Sequence, residues 1–335
     1  MKRNKILIAM MVIAVLCTGV LFAGGQQDAA PAADTTSSDA PAQVKVAMLM
    51  SGPINDGGWN TSAYEGLTRL RDELGFEIAY TEMVPQSQQK SILRNYAQRG
   101  YDLVIGHGFE FGDSIMEVAP EFPNVKFYQV GGEVQADNVG SGVFGLGELS
   151  YLAGKLSAKF TKTNKIGFIG AMEIPTTLAE IDMLRETIAE VNPKASFTVA
   201  YTGSWTDVNK GKEAALAQIA NGVDVIVAIG DACDVGAIQA AKERGAYVIG
   251  WSGDFNSLAP DIVLTSMVQS VPDMILMQGK MLKEGNWKGM SKVWGVADGV
   301  EYPGTWSKMV PAELKDEVMA DFEAMKAGTL HKRVN

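Results

Sequence analysis

From Val44 onward, short apolar runs alternate with stretches whose apolar positions recur every three or four residues. Residues 44–50 form an apolar run interrupted only by Lys45, the signature of a buried strand. Over 61–74, Tyr64, Leu67, Leu70 and Leu74 share one face and Gly75 ends the pattern, which predicts a helix. A strand over 76–81 follows, then a helix over 87–98 built on Ile92, Leu93, Tyr96 and Ala97 and stopped at Gly100. Strands over 103–106, 125–130 and 139–144 close the first set. The pattern then restarts. Strands are expected at 165–170, 196–201, 223–230 and 247–251, with helices at 176–191, 208–220 and 235–244 between them. Beyond Leu258 no third set forms, so the last segments are expected to cross back and complete both sets.

Strands alternating with helices require parallel pairing and right-handed crossovers. Two successive sets predict an α/β protein with two doubly wound, Rossmann-like lobes joined by a hinge. The expected division is 44–145 plus about 270–288 for the first lobe, and 146–269 plus about 289–335 for the second.

The N-terminus reads differently. Lys2, Arg3 and Lys5 precede an apolar run from Ile6 to Phe22, the order of a secretory signal peptide over 1–23 with cleavage after Ala23. An uncleaved anchor helix is the alternative, because the run approaches spanning length. Residues 24–43 are rich in Ala, Asp, Ser, Thr and Pro without apolar periodicity and read as a flexible linker. Cys17 follows Leu16, where a bacterial lipobox carries a small residue, which weighs against lipidation. Removing the leader would leave Cys233 alone, so no internal disulfide is expected.

The 335 residues suffice for two domains with full cores, and a net charge of -10 argues against a nucleic-acid partner. Open parallel sheets bind ligands beyond the C-terminal ends of their strands, so the loops after strands carry the candidate chemistry. The first holds Asn55, Asp56, Trp59 and Asn60 behind glycines that admit a close backbone approach. Trp59 offers a flat face for a planar ring, Asn55 or Asp56 an acceptor; Asn60 also suits a helix N-cap. Trp205 ends a strand of the second set, so one aromatic from each lobe would clamp a planar ligand. Asp231 and Asp254 add carboxylate acceptors at two further strand ends, although helix capping competes for Asp231 or Asp234. Gly106, His107 and Phe109 form a further close-approach loop, and Cys233 reads as a small buried hydrophobe.

Enzyme signatures are absent from the sequence. Two histidines, His107 and His331, leave no His-rich metal site, and there is neither a Gly-x-Ser-x-Gly elbow nor a P-loop. Gly145-Leu146-Gly147 lacks the third glycine of a dinucleotide loop, Ser150 standing in its place. Neither cofactor nor metal is expected.

The strand-end loops resemble the basic-membrane-protein family of substrate-binding lipoproteins, which serve ABC transporters and include purine nucleoside binders. The stretches that carry the resemblance are Gly52-Pro-Ile-Asn-Asp-Gly-Gly-Trp-Asn60, Tyr64-Glu-Gly-Leu67, Gly106-x-Gly-Phe109, Gly230-Asp-Ala-Cys-Asp-Val-Gly236 and Gly250-Trp-Ser-Gly-Asp254. It implies a type I periplasmic-binding fold, a purine ring between Trp59 and Trp205, and acidic contacts from Asp56 and Asp254. Nucleoside binders of the family also carry a ribose-contacting lysine soon after a Thr-Ser step. Here Thr265-Ser266 is followed by Met267-Val268-Gln269-Ser270, so a free base fits at least as well as a nucleoside. The resulting expectation is an exported monomer, periplasmic or at the outer face of the plasma membrane, that hands a purine base or nucleoside to an ABC transporter permease. A sugar or signal-molecule binder is the first alternative and an exported nucleoside-processing enzyme the second.

Overall fold

The computed structural model describes residues 43–55 and 58–334. The expected signal peptide, all but the last residue of the expected linker, and Asp56 lie outside the described residues.

Strand β1 (Lys45–Met50) sets the plan of the first lobe. Successive strand side chains point to opposite faces, and both faces of this strand are buried in different cores. Val46, Met48 and Met50 pack with Leu67, Leu70, Met274 and Ile275, whereas Ala47 and Leu49 pack with Leu93, Phe111 and Ile115. The first core lies under helices α1 (Trp59–Leu74) and α8 (Val271–Lys283); the second lies under α2 (Gln89–Gln98) and α3 (Gly112–Val118). Leu67 and Leu70 are fully buried, each contributing roughly 1.5–3 kcal/mol of transfer free energy. Gly75 ends α1 at φ 75°, donating to the Leu70 and Arg71 carbonyls, a left-handed cap that costs a residue without Cβ little. The helix begins at Trp59, two residues before the apolar pattern becomes visible.

The remaining first-lobe strands are β2 (Glu77–Thr81), β3 (Leu103–His107), β4 (Lys126–Val130), β5 (Val139–Phe144) and β11 (Ser291–Trp294). They form a six-stranded sheet in the order β11-β5-β4-β3-β1-β2. β11 pairs in parallel with β5, so the returning segment stays with the first sheet through Trp294, six residues past the expected boundary near 288.

The second lobe repeats the plan. Its sheet runs β12-β10-β9-β8-β6-β7, over β6 (Lys165–Gly170), β7 (Ser196–Tyr201), β8 (Val225–Ile229), β9 (Tyr247–Ser252), β10 (Val263–Gln269) and β12 (Glu301–Pro303). β12 alone among the described strands runs antiparallel to its neighbour. Val225 and Val227 face α4 (Glu148–Phe160), α5 (Pro175–Val191) and α9 (Ala312–Lys326); Ile226 and Ala228 face α6 (Val208–Ala220) and α7 (Ala232–Arg244). The chain passes between the sheets three times: at 145–147, at Ser270 and at 295–300.

Helices α6 and α7 carry the loops after β7 and β8, and they meet through glycine. A Cβ on Gly211 would overlap the Cys233 backbone, and one on Gly236 would overlap the Val208 carbonyl. Overpacking of this kind costs about 1–3 kcal/mol. Gly236→Val is therefore expected to lower the midpoint of thermal unfolding by several degrees, and a melt indistinguishable from wild type would contradict this packing.

Candidate ligand cleft

The right-handed βαβ plan puts every β-to-α loop of both lobes at the C-terminal strand ends. Two of these loops touch across the lobes. A Cβ on Gly58, which precedes α1, would lie 3.3 Å from Asp231 Cβ at the start of α7. Asp231 holds a left-handed backbone at φ 50°, unusual for a residue with a side chain and of the kind found where function constrains geometry. Ser252, at the end of β9, does the same at φ 65°.

Trp59 sits at this junction, partly exposed. One face of its indole stacks on the His107 imidazole, with centroids 4.3 Å apart and planes 26° from parallel. His107 is fully buried, and its Nε2–H donates to the Trp59 carbonyl at 3.0 Å. His107 thus lies behind the indole as its support. A Cβ on Gly131 would meet the indole edge at 3.4 Å, an ordinary contact; the positive φ of 81° is what favours glycine there.

Trp205 is 37% exposed on the facing lobe. Its carbonyl accepts the Ala232 N–H at 3.1 Å, fastening the loop to the start of α7 beside Asp231. The buried Cys233 thiol donates to Ser204 O at 3.0 Å and reaches Asp207 O at 3.2 Å, and burial pushes its pKa up. It is a structural thiol beneath the tryptophan loop. Asp207 caps α6, accepting from the Asn209 and Lys210 N–H groups.

The other expected site residues are distributed as follows. Asn55 is exposed in the first loop, which Glu82 anchors by accepting the Ile54 N–H at 2.8 Å. Asn60 is buried; Gly58 occupies the N-cap of α1, and the Asn60 Oδ1 accepts from Gly52 N at 3.4 Å to close the loop. Gly106 lies within β3, where a Cβ would come 2.7 Å from Phe111 Cβ, so this glycine serves helix packing. Phe109 is 79% exposed. Together with Glu110, Asp113, Gln129 and Glu133 it lines a cavity of about 820 Å³ on the α2/α3 side of the first sheet. That cavity is lined by first-lobe residues and includes neither tryptophan. Asp254 turns back along the second sheet, where its carboxylate accepts from Asn256 N at 3.1 Å and Thr305 N at 2.9 Å. Trp59 and His107 stack on each other, Gly58 beside Trp59 approaches Asp231, and the Trp205 carbonyl bonds the N–H next to Asp231. Trp251 is a core residue whose Nε1–H donates to Gln269 Oε1 at 3.1 Å.

Asp234 is the polar group the loop reading passed over as a capping alternative. It is fully buried one turn into α7, with neither carboxyl oxygen hydrogen-bonded, although the Gly230 and Trp251 backbones lie near it. Burial first, and the charge of Asp231 next, push its pKa well above the usual carboxylate range. No metal-binding group of three or more His, Cys, Asp or Glu residues occurs among the described residues.

Two α/β lobes with three chain crossings between their sheets are the architecture of two-lobed solute-binding proteins. The chain belongs to the Bmp family, described as ABC transporter substrate-binding protein PnrA-like, which matches residues 43–322. It is 28% identical over 298 residues to a purine-binding protein of Brucella abortus, covering 88% of this chain and 84% of that one. It is likewise 28% identical over 294 residues to a putative ABC transporter glucose-binding protein of Haloferax volcanii, covering 87% and 75%. Among solved structures, an ABC transporter solute-binding protein from Conexibacter woesei superposes with a TM-score of 0.74 at 28% identity, covering 86% of this chain and 98% of that one. The family and these neighbours are binding proteins. No helix among the described residues is long and apolar enough to cross a membrane.

The state of Asp234 has a measurable consequence. With a folded-state pKa above its unfolded value, the folded protein holds the extra proton, so stability falls as pH rises from about 4. Asp234→Asn removes this slope. The variant's stability relative to wild type is expected to increase between pH 4 and pH 8 in chemical-denaturation titrations; a difference constant across that range would contradict the assignment.

Proposed function

We propose that the protein binds a purine base or nucleoside between its lobes and delivers it, as an exported monomer, to an ABC transporter permease. The observation that carries this reading is the junction of Gly58 with Asp231, which joins the Trp59 and Trp205 loops at one point of the cleft. A planar ligand there has an indole supplied by each lobe. The His107 support restricts the rotation of Trp59, so less side-chain entropy remains to be lost on stacking. Asp231, with Asn55 on the loop of the other lobe, suits N–H and hydroxyl donors and disfavours phosphate. The Brucella relative named for purine binding supports the same ligand class.

Within that class, a free base fits at least as well as a nucleoside. Thr265 and Ser266 are fully buried; Thr265 Oγ1 donates to Gly304 O and Ser266 Oγ accepts the Phe255 N–H, leaving both hydroxyls engaged in the second lobe. The segment that follows them supplies no cation for a ribose. A sugar is the second reading, favoured by the Haloferax relative named for glucose binding and by the suitability of an aromatic clamp for pyranose faces.

Titration calorimetry with adenine, guanine, their nucleosides and glucose tests the assignment. Stacking on an aromatic contributes roughly 1–3 kcal/mol per base. Trp59→Ala and Trp205→Ala are each expected to weaken purine binding accordingly, by roughly fivefold to a hundredfold or more, with the fold intact by circular dichroism. Heat from glucose alone would replace the purine with a sugar, and unchanged purine affinity in both variants would remove the clamp.

A further inference from the structure

The three chain crossings converge on buried carboxylates, and each crossing is held by a different one. In the first, Glu180 on α5 accepts the Gly147 N–H at 3.0 Å and the Ser150 hydroxyl at 2.7 Å. At the second, Glu301 on β12 accepts the Gln269 side-chain amide at 2.9 Å, where β10 gives way to α8. In the third, Glu148 on α4 accepts the Val296 N–H at 3.2 Å. None of the three glutamates is more than 4% exposed.

Arg333 is the cation beside Glu148 and acts on Glu301 as well. Its Nε lies 3.2 Å from Glu148 Oε2. Its guanidinium packs on the crossings themselves, since a Cβ on Gly295 would overlap Arg333 Nη2 and Glu148 Oε2, and one on Gly145 would come 3.2 Å from Arg333 Nε. The flanking charges are already paired. Lys292 bonds Asp298 at 2.6 Å in the third crossing, and Asp273 on α8 takes Arg69 at 2.7 Å and the Tyr302 hydroxyl at 3.4 Å. Three carboxylates with one guanidinium would carry two uncompensated negative charges out of water, which a dry interior does not support. One Glu301 oxygen is buried without a hydrogen-bond partner, the costliest place for an ionised carboxylate.

We propose that this cluster links the hinge to protons. The arrangement described above, with all three crossings seated on dry carboxyls, is favoured while the cluster holds its protons. Losing them shifts the lobes toward an opened arrangement in which water reaches Glu180 and Glu301. Burial raises the Glu180 pKa to about 7. Burial, reinforced by the neighbouring charges of Glu180 and Glu148, raises that of Glu301 well above the usual range. A hydrated glutamate titrates near 4.3, so the seated form binds more protons between about pH 4.5 and 7. Rising pH through that window disfavours it, and below the window both forms are protonated alike.

The test is small-angle scattering of the ligand-free protein from pH 4.5 to 8, so its outcome stands apart from the purine assignment. The radius of gyration is expected to rise across about pH 5–7.5 in the wild type. Glu180→Gln keeps the shape and a carbonyl acceptor but removes the titration, and should flatten that rise or displace it by more than half a pH unit. Glu301→Gln serves as a second probe should the first variant fold poorly. Asp234→Asn, buried in the second lobe without a hydrogen bond to any of the three glutamates, should retain the wild-type profile. A pH-invariant radius in the wild type would overturn the proposal. So would a wild-type profile in both glutamine variants, or a flattened one in Asp234→Asn alone.

Discussion

Parallel pairing forces the loops that follow strands to one end of each sheet, and everything functional in this molecule depends on how those two ends meet. They meet at Gly58, where a side chain would crowd Asp231. The contact joins loops built for different tasks. One starts α1 and carries an indole braced by a buried imidazole; the other starts α7 and is fastened to the Trp205 loop by a single N–H. The three crossings complete the constraint, because the chain joins the two sheets only there and any motion that separates Gly58 from Asp231 must be absorbed in them.

Much of the architecture could be read from apolar periodicity. The strand over 139–144 and the helix over 208–220 fall where the pattern puts them, the strand buried on both faces and the helix on one, burial that the sequence must record. The unread elements share a different physics. α4 is buried over most of its surface and includes Gly154, Ser150 and Ser157 on buried positions, so only the narrow stripe of Tyr151, Lys155 and Lys159 marks its outer face. β11 and β12 contain four and three residues, too few for alternation to register. The start of α1 was hidden because Gly58, not Asn60, supplies its cap.

The candidate site was legible in its residue types and less so in their orientations. Tryptophans after strands stand out in a sequence; what lies behind them does not. The His107 ring lies beneath Trp59, and the Asp254 oxygens accept from Asn256 and Thr305, arrangements that no sequence pattern records. The strained backbone of Asp231 and Ser252 leaves no mark in the sequence, because neither position is glycine. The hinge carboxylates were equally hidden. Glu148, Glu180 and Glu301 lie far apart along the chain and only the fold gathers them.

The thiol of Cys233 and the glycine contacts between α6 and α7 bear on the heat signature of ligand capture. They tie Trp205, Asp207 and Asp231 into one stiff body before any ligand arrives. The conformational entropy of that half of the cleft is therefore lost during folding, not during binding. The heat-capacity change of capture then reports apolar surface covered as the lobes come together, with little contribution from loop ordering on the second lobe.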